Sequence, residues 1–322
     1  MNQSKYPAID LSNLKTYSIK ERQSKVEIDA FAKPYQPGGS MNSFLASLPH
    51  ILKANDLHAL INHMIDAIQH KRPIIIMMGA HVIKCGLNPL LIDWLQSGYI
   101  SSIALNGAGV IHDTEVALFG TTSEDVATAL DDGSFGMVQE TPAFINAALK
   151  EGRNMELGFG ESVGKRIVES DNCPNSHLSL LATAYTCNIP VTVHVAIGTD
   201  IIHQHSNTDG ATLGELSHRD FKIFCNQVKN IGDGGVVLNF GSAVILPEVF
   251  LKAISVTRNL GHHVHKFVTA NFDMFQHYRP QVNVLQRPTK TGGTSYQFTG
   301  HHEIMIPLLF AGVKEGVAGG II

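Results

Sequence analysis

The residues of this 322-residue chain that can do chemistry fall into three groups. The first is Asn106, Gly107, Ala108 and Gly109, followed closely by His112 and Asp113. Glycines at a strand end let the backbone approach a ligand, and free N–H groups there can cradle a phosphate. The neighbouring His112 and Asp113 have the chemistry of an acid/base pair or of hydrogen-bonding anchors for an amine. This is not the G-x-G-x-x-G dinucleotide fingerprint, because the third glycine position holds His112. Just downstream, Thr122, Ser123 and Glu124 have the composition of a helix start, a hydroxyl cap followed by acids.

The second group places Asp200, His203, His205, Asp209 and Glu215 within 16 positions. His203 and His205 form an H-x-H pair that suits a metal if a carboxylate is the third ligand, or else a polar pocket rim. Asp209, in a Thr-Asp-Gly turn, either caps that turn or pairs with a cationic substrate. The third group is the tail, with Arg279, Arg287 and Lys290 among aromatics and glycines, then His301, His302 and Glu303 before an apolar stretch. Lys290 is a covalent nucleophile if burial lowers its pKa, and otherwise a solvated loop lysine. Residues 158–166 imitate a phosphate-binding P-loop. That motif needs a glycine where Phe159 stands and a hydroxyl where Arg166 stands, which excludes a triphosphate site.

These groups need a scaffold, and the apolar pattern supplies one. Residues 73–80 form an apolar run ending in glycine, too short to span a bilayer and suited to a strand buried on both faces. Further strands are predicted at 100–109, 189–197, 234–241 and 263–271. Helical spacing fills the intervals, among them 43–70, 88–97, 122–130, 164–169, 220–229 and 303–312. Strand–helix alternation of this length predicts an α/β fold: a doubly wound parallel sheet, Rossmann-like, with helices on both faces. Residues 1–42 are polar and end in a Pro/Gly stretch, which predicts an N-terminal arm before a single α/β domain over 43–322.

Composition narrows the function classes. With 44% hydrophobic residues the chain can bury a large core. A net charge of −4 argues against a nucleic-acid partner attracted by a general positive field. The four cysteines lie far apart without C-x-x-C spacing, as reduced thiols do. No window of 18 uninterrupted apolar residues occurs and the first residues lack a signal-peptide core, so a cytoplasmic protein without a membrane partner is expected.

Several of these segments, in register over roughly residues 45–315, resemble the deoxyhypusine synthase family. Residues 77–86, reading MMGAHVIKCG, resemble that family's first nucleotide-contacting strand and loop, and NGAGVIHD resembles its second glycine-rich strand end. IPVTVHVAI followed by TDGATLGEL is similar to its Ile-Pro-Val strand and Thr-Asp-Gly segment. VTAN and IPLLFA sit where the family has a cofactor-contacting strand end and its terminal helix.

The resemblance implies an enzyme that uses NAD to take a hydride from spermidine and passes an aminobutyl imine through a lysine. NAD would then be lined by Gly79, Ala80, Asn106, Gly107, Ala108, Gly109, Thr122, Ser123, Glu124, Thr269 and Ala270. His112, Asp113 and Asp209 would face a polyamine or other small amine, and Lys290 would be the imine-forming lysine. Together with the low charge, the resemblance also implies a homo-oligomer, a tetramer. Two departures stand out. Lys290 lacks the family's Ser-Trp-Gly flank, and Pro247 falls where the family carries a substrate-contacting histidine. A metal-dependent enzyme built on His203 and His205, or a non-catalytic member of the fold, are the rival expectations.

Overall fold

The structure is a computed structural model describing residues 4–319. Six strands form one sheet: β1 (Ile74–Met78), β2 (Ser102–Asn106), β3 (Val191–His194), β4 (Val236–Phe240), β5 (Val268–Asp273) and β6 (Thr294–Thr299). Their order is β3-β2-β1-β4-β5-β6 and every pairing is parallel. The predicted α/β class and doubly wound sheet are therefore observed. β1 and β4 are buried along their whole length, as expected when helices cover both faces; β1 is apolar throughout and β4 is apolar except for the buried Asn239.

Alternate side chains of the central strands feed two cores. Ile74, Ile76 and Met78 pack with Leu60, Trp94 and Phe310 on one side of the sheet. Ile75 and Met77 pack with Phe224, Phe250 and Phe267 on the other. The first face is covered by helices that include Leu52–Gln69, Asn88–Gln96 and His302–Val317, and the second by Gly210–Val228 and Ile245–Asn259. Trp94 stacks on Phe310 with ring centroids 3.7 Å apart.

The chain runs outward from β1 through β2 to β3 and then returns to β4 on the other side of β1. In open parallel sheets such a reversal marks the carboxyl ends of the two flanking strands, here β1 and β4, as the place where ligands bind. The loops meet closely there. Gly79 donates its N–H to Phe240 O at 3.0 Å, and a Cβ at Gly79 would stand 2.9 Å from Gly241 O. The β3 edge is closed to further pairing by the Gly210–Val228 helix. Its Asp220 accepts from Val193 N at 2.7 Å and its Ser217 hydroxyl donates to Val193 O at 2.8 Å.

The structure differs from the sequence expectation in several places. β6 is a sixth strand where only a tail was read, because Thr294–Thr299 is an edge strand with a mostly solvated, polar sequence. Gly107 and Gly109 are not strand residues: a helix, Gly107–Phe119, begins directly after β2. The helix read at 220–229 starts ten residues earlier, at Gly210, where Asp209 caps it. Residues 4–40 contain two short 3-10 turns, Ile19–Glu21 and Ile28–Ala30. Among the described residues no helix is long and apolar enough to cross a membrane.

Candidate functional site

The site forms at the carboxyl edge of β1, β2 and β3. Asn106 ends β2 and caps the Gly107–Phe119 helix by accepting from Gly109 N at 3.0 Å. Glycine at the first position lets a buried side chain approach the helix end: a Cβ at Gly107 would lie 2.1 Å from Asp200 Oδ2. One face of this helix carries Ala108, Ile111, His112 and Glu115 into a cavity of about 220 Å³. Lys84, Glu124 and Asp200 add charge to the wall, while Phe135 and Val138 close it with apolar surface. An adjoining groove shares Glu115, Ser123 and Glu124 and extends past Thr122.

His112, Thr122 and Glu115 form a chain. His112 Nδ1 lies 2.6 Å from Thr122 Oγ1, and Thr122 donates its hydroxyl proton to Glu115 Oε2 at 2.5 Å. Thr141 donates to the other oxygen at 3.2 Å. Burial pushes the Glu115 carboxyl up, but His112, 3.7 Å away, and the Thr122 hydroxyl outweigh it and hold the group below its ordinary value. A threonine hydroxyl has one proton, and Glu115 takes it. The oxygen is therefore an acceptor toward His112, so a neutral His112 carries its proton on Nδ1 and leaves Nε2 bare. A histidine so oriented, with a carboxylate behind it, can take a proton from a ligand in the cavity.

Asp200 is 8% exposed, and burial raises its carboxyl above the ordinary value, partly countered by His203 and by Ala108 N–H. Its Oδ2 has no hydrogen-bond partner. His203 accepts at Nδ1 from Gly198 N at 3.1 Å and from Asp200 N at 3.3 Å. Its Nε2, also without a partner, lies 4.0 Å from Asp200 Oδ2. Glu124 accepts from Gly136 N at 3.0 Å, and His205 Nε2 lies 2.8 Å from Gly136 O, which fastens the segment that walls the cavity. His203 and His205 thus spend ring nitrogens on the backbone. Among the described residues no group of three or more His, Cys, Asp or Glu is placed to hold a metal ion.

The other expected residues are distributed as follows. Asp113 is fully buried and faces away from the cavity. Its oxygens accept from Asn88 Nδ2, Ser179 Oγ, Leu180 N and Leu181 N, which caps the Leu180–Thr186 helix instead of meeting a substrate. Burial pushes its carboxyl up to about 6. Asp209 is an exposed cap that accepts from Ala211 N at 2.9 Å and Thr212 Oγ1 at 2.6 Å. Thr269 and Ala270 lie mid-strand in β5 with no exposed surface, because β5 runs on to Asp273.

Lys290 is exposed in the turn before β6, at the amino end of the sheet and opposite the cavity. Gly79 and Ala80 follow β1 at the switch point. His302 lies beside them. It is 2% exposed, its Nε2 lies 3.2 Å from Phe272 O, and its Nδ1 has no partner. Sequence reasoning missed Lys84, which bears no motif. It also missed Glu115, whose signal was its i+3 spacing from His112 on one helical face.

The sequence matches no protein-family model and no curated protein. Solved structures do match. AgrE bound to L-arginine aligns over 81% of this chain and 33% of its own, with 14% identity and a TM-score of 0.51. The likeness is one of fold. The arginine dihydrolase ArgZ of the cyanobacterial ornithine-ammonia cycle aligns over 80% of this chain and 31% of its own, with 15% identity and a TM-score of 0.49. An Entamoeba histolytica protein assigned as a deoxyhypusine synthase aligns over 87% of this chain and 95% of its own, with 10% identity and a TM-score of 0.48. The chain thus spans about a third of the length of AgrE and ArgZ.

Proposed function

We propose that the chain is an NAD-dependent enzyme acting on a small amine, with His112 as proton acceptor and Asp200 and Glu124 as the carboxylates that hold the cation. One observation carries this reading: His112, with Nε2 bare, lines a cavity whose carboxylates outnumber its cations. An amine reacts through its nitrogen lone pair, and an ammonium has none until a base removes a proton. His112 Nε2 accepts that proton. Its Nδ1–H stays bonded to Thr122, and the Glu115 carboxylate 3.7 Å from Nδ1 stabilises the imidazolium that forms. Each charge-assisted contact to Asp200 or Glu124 contributes about 1.5–3 kcal/mol when sequestered from water.

The residues fit NAD at one part of the carboxyl edge and not at another. At the start of the Gly107–Phe119 helix, the Asp200 carboxylate takes the place a phosphate would occupy, and like charges repel. At the switch point, Gly79 packs against Gly241 and Gly241 against His302, next to Ala80 and Ser242, and the buried His302 has a ring nitrogen with no partner. Those residues would hold the dinucleotide, which when bound supplies the hydride acceptor. AgrE has been solved with ornithine and NAD+. Aminoalkyl transfer through Lys290 has no part in this reading, since that lysine stands at the opposite end of the sheet. The exposed Ile197, Phe275, Tyr278 and Ile304 around the carboxyl-edge loops support a homo-oligomer that covers them, which sedimentation of the purified protein tests.

Thermal unfolding of the purified chain with NAD and with a diamine tests the reading. Each ligand at a hundredfold over its Kd adds about 2.7 kcal/mol. Reduction of NAD in the presence of the diamine, lost in His112→Gln, is the expected activity. Absence of any stabilisation by millimolar NAD or diamine refutes the proposal.

A further inference from the structure

Among the described residues Lys84 is the only lysine or arginine lining the cavity. It reaches the wall from the short helix His81–Lys84 after β1, facing carboxylates that come from the β3 loop and from the segment after the Gly107–Phe119 helix. Among the described residues its ammonium has no carboxylate within 4.0 Å. The three acids of the wall are not equally free. Glu115 is engaged on both oxygens, by Thr122 and Thr141. Glu124 gives one oxygen to Gly136 N, and Asp200, 8% exposed, keeps Oδ2 without a partner.

The wall therefore offers two carboxylates with spare acceptor capacity and one unpaired ammonium. A polyamine is cationic along its length, so it satisfies the acids while bringing positive charge or methylenes against Lys84. A ligand with two amines and one carboxylate matches both signs at once. The cavity, about 220 Å³, is smaller than the roughly 300–1,000 Å³ of pockets that take drug-sized ligands. That suits a molecule of amino-acid size and falls short of a dinucleotide.

We infer that the ligand of this cavity is a diamino monocarboxylic acid, with Lys84 pairing its carboxylate and Asp200 and Glu124 its amines. The inference rests on the reading of the cavity as an amine site and names its substrate class. Lys84 is then a specificity residue: it adds affinity for ligands that carry the carboxylate and none for those that lack it.

L-ornithine and putrescine differ by that carboxylate alone, and calorimetric titration of both into the full chain gives the test. The native protein binds L-ornithine about tenfold or more tighter than putrescine, the scale of one charge-assisted contact. Lys84→Met, at an exposed helix end, weakens L-ornithine and tightens putrescine, which no longer faces a like charge, so the preference is lost, while Lys84→Arg keeps it. Putrescine binding as tightly as ornithine, or a preference that survives Lys84→Met, overturns the inference and leaves the amine reading standing. If neither compound binds at millimolar concentration, both fall.

Discussion

Gly107→Ala separates the site from the fold, because the substitution pushes the two in opposite directions. An alanine Cβ at this position would stand 2.1 Å from Asp200 Oδ2 and 2.7 Å from its Cγ. Ordinary contact needs about 3.4 Å or more, so the carboxyl must move by roughly an ångström. It has a place to go, since the unpartnered His203 Nε2 is 4.0 Å from Oδ2. The fold loses little by this. Alanine in a helix is favoured over glycine by up to about 1 kcal/mol, and an unfolding entropy near 2.1 cal/mol/K per residue converts that into a Tm rise of at most about 1.5 °C.

Ligand binding loses a charge-assisted contact of about 1.5–3 kcal/mol, so the Kd for a diamine rises roughly 10- to 150-fold. Calorimetric titration with putrescine beside a thermal melt of the same sample reads both. An affinity within twofold of the native protein, with Tm unchanged, would refute the role of Asp200 as the cation's partner.

Three further outcomes are expected. Thr122→Val breaks the link between His112 and Glu115 and lowers turnover about 100-fold with little change in Tm, and Thr122→Ser restores it; equal turnover in the valine variant removes the relay. His112→Gln abolishes turnover and keeps Tm, whereas Asp113→Ala orphans Leu180 N and Leu181 N, about 1–3 kcal/mol each, and appears in the melt. Asp220 is fully buried and its carboxyl is pushed up to about 7 by burial, above the unfolded value of 3.8. Between those values the folded state holds the extra proton, so stability falls by about 1.4 kcal/mol per unit as pH rises and is flat above the folded value. Asp220→Asn keeps an acceptor for Gly160 N and Val193 N, and denaturant unfolding from pH 4 to 7 should lose that slope.

What the sequence disclosed follows from how strongly each feature is written in it. β1 was legible because an apolar run between turn residues has few alternatives to a buried strand, and β4 because glycines bracket a short, β-branched and largely apolar segment. β6 was not, because an edge strand needs neither an apolar run nor strict alternation. His112 and Asp113 were read as a pair, yet successive residues on a helix point about 100° apart. One therefore enters the cavity and the other caps a helix beneath it. The true neighbour of His112 is Glu115, one turn on, and the phase of that helix was hidden while Gly107 and Gly109 were read as strand. Thr269 and Ala270 lie inside β5 for a related reason: a strand end placed two residues early turns interior residues into apparent ligand contacts. Lys84 carries no local signal, since its position depends on how loops from three strands converge.

The convergence also divides the carboxyl edge by charge. On the β2–β3 side, Asp200 sits on the one long helix that starts directly at a strand end, so the dipole of that helix is spent on a side-chain carboxylate. An external phosphate there would have to displace an acid that is 8% exposed, and the loss of its helix-end contact would oppose the exchange. A cation meets no such opposition, because it draws the raised carboxyl of Asp200 back toward its charged form. On the β1–β4 side the rings of His81 and His302 are 5.7 Å apart between centroids, and the Asp273 and Glu303 carboxylates act on His81. A cation is therefore favoured over β2 and β3, while an anion over β1 and β4 has to keep clear of Asp273 and Glu303. The bare nitrogen of His112 stands on the cation's side of that division.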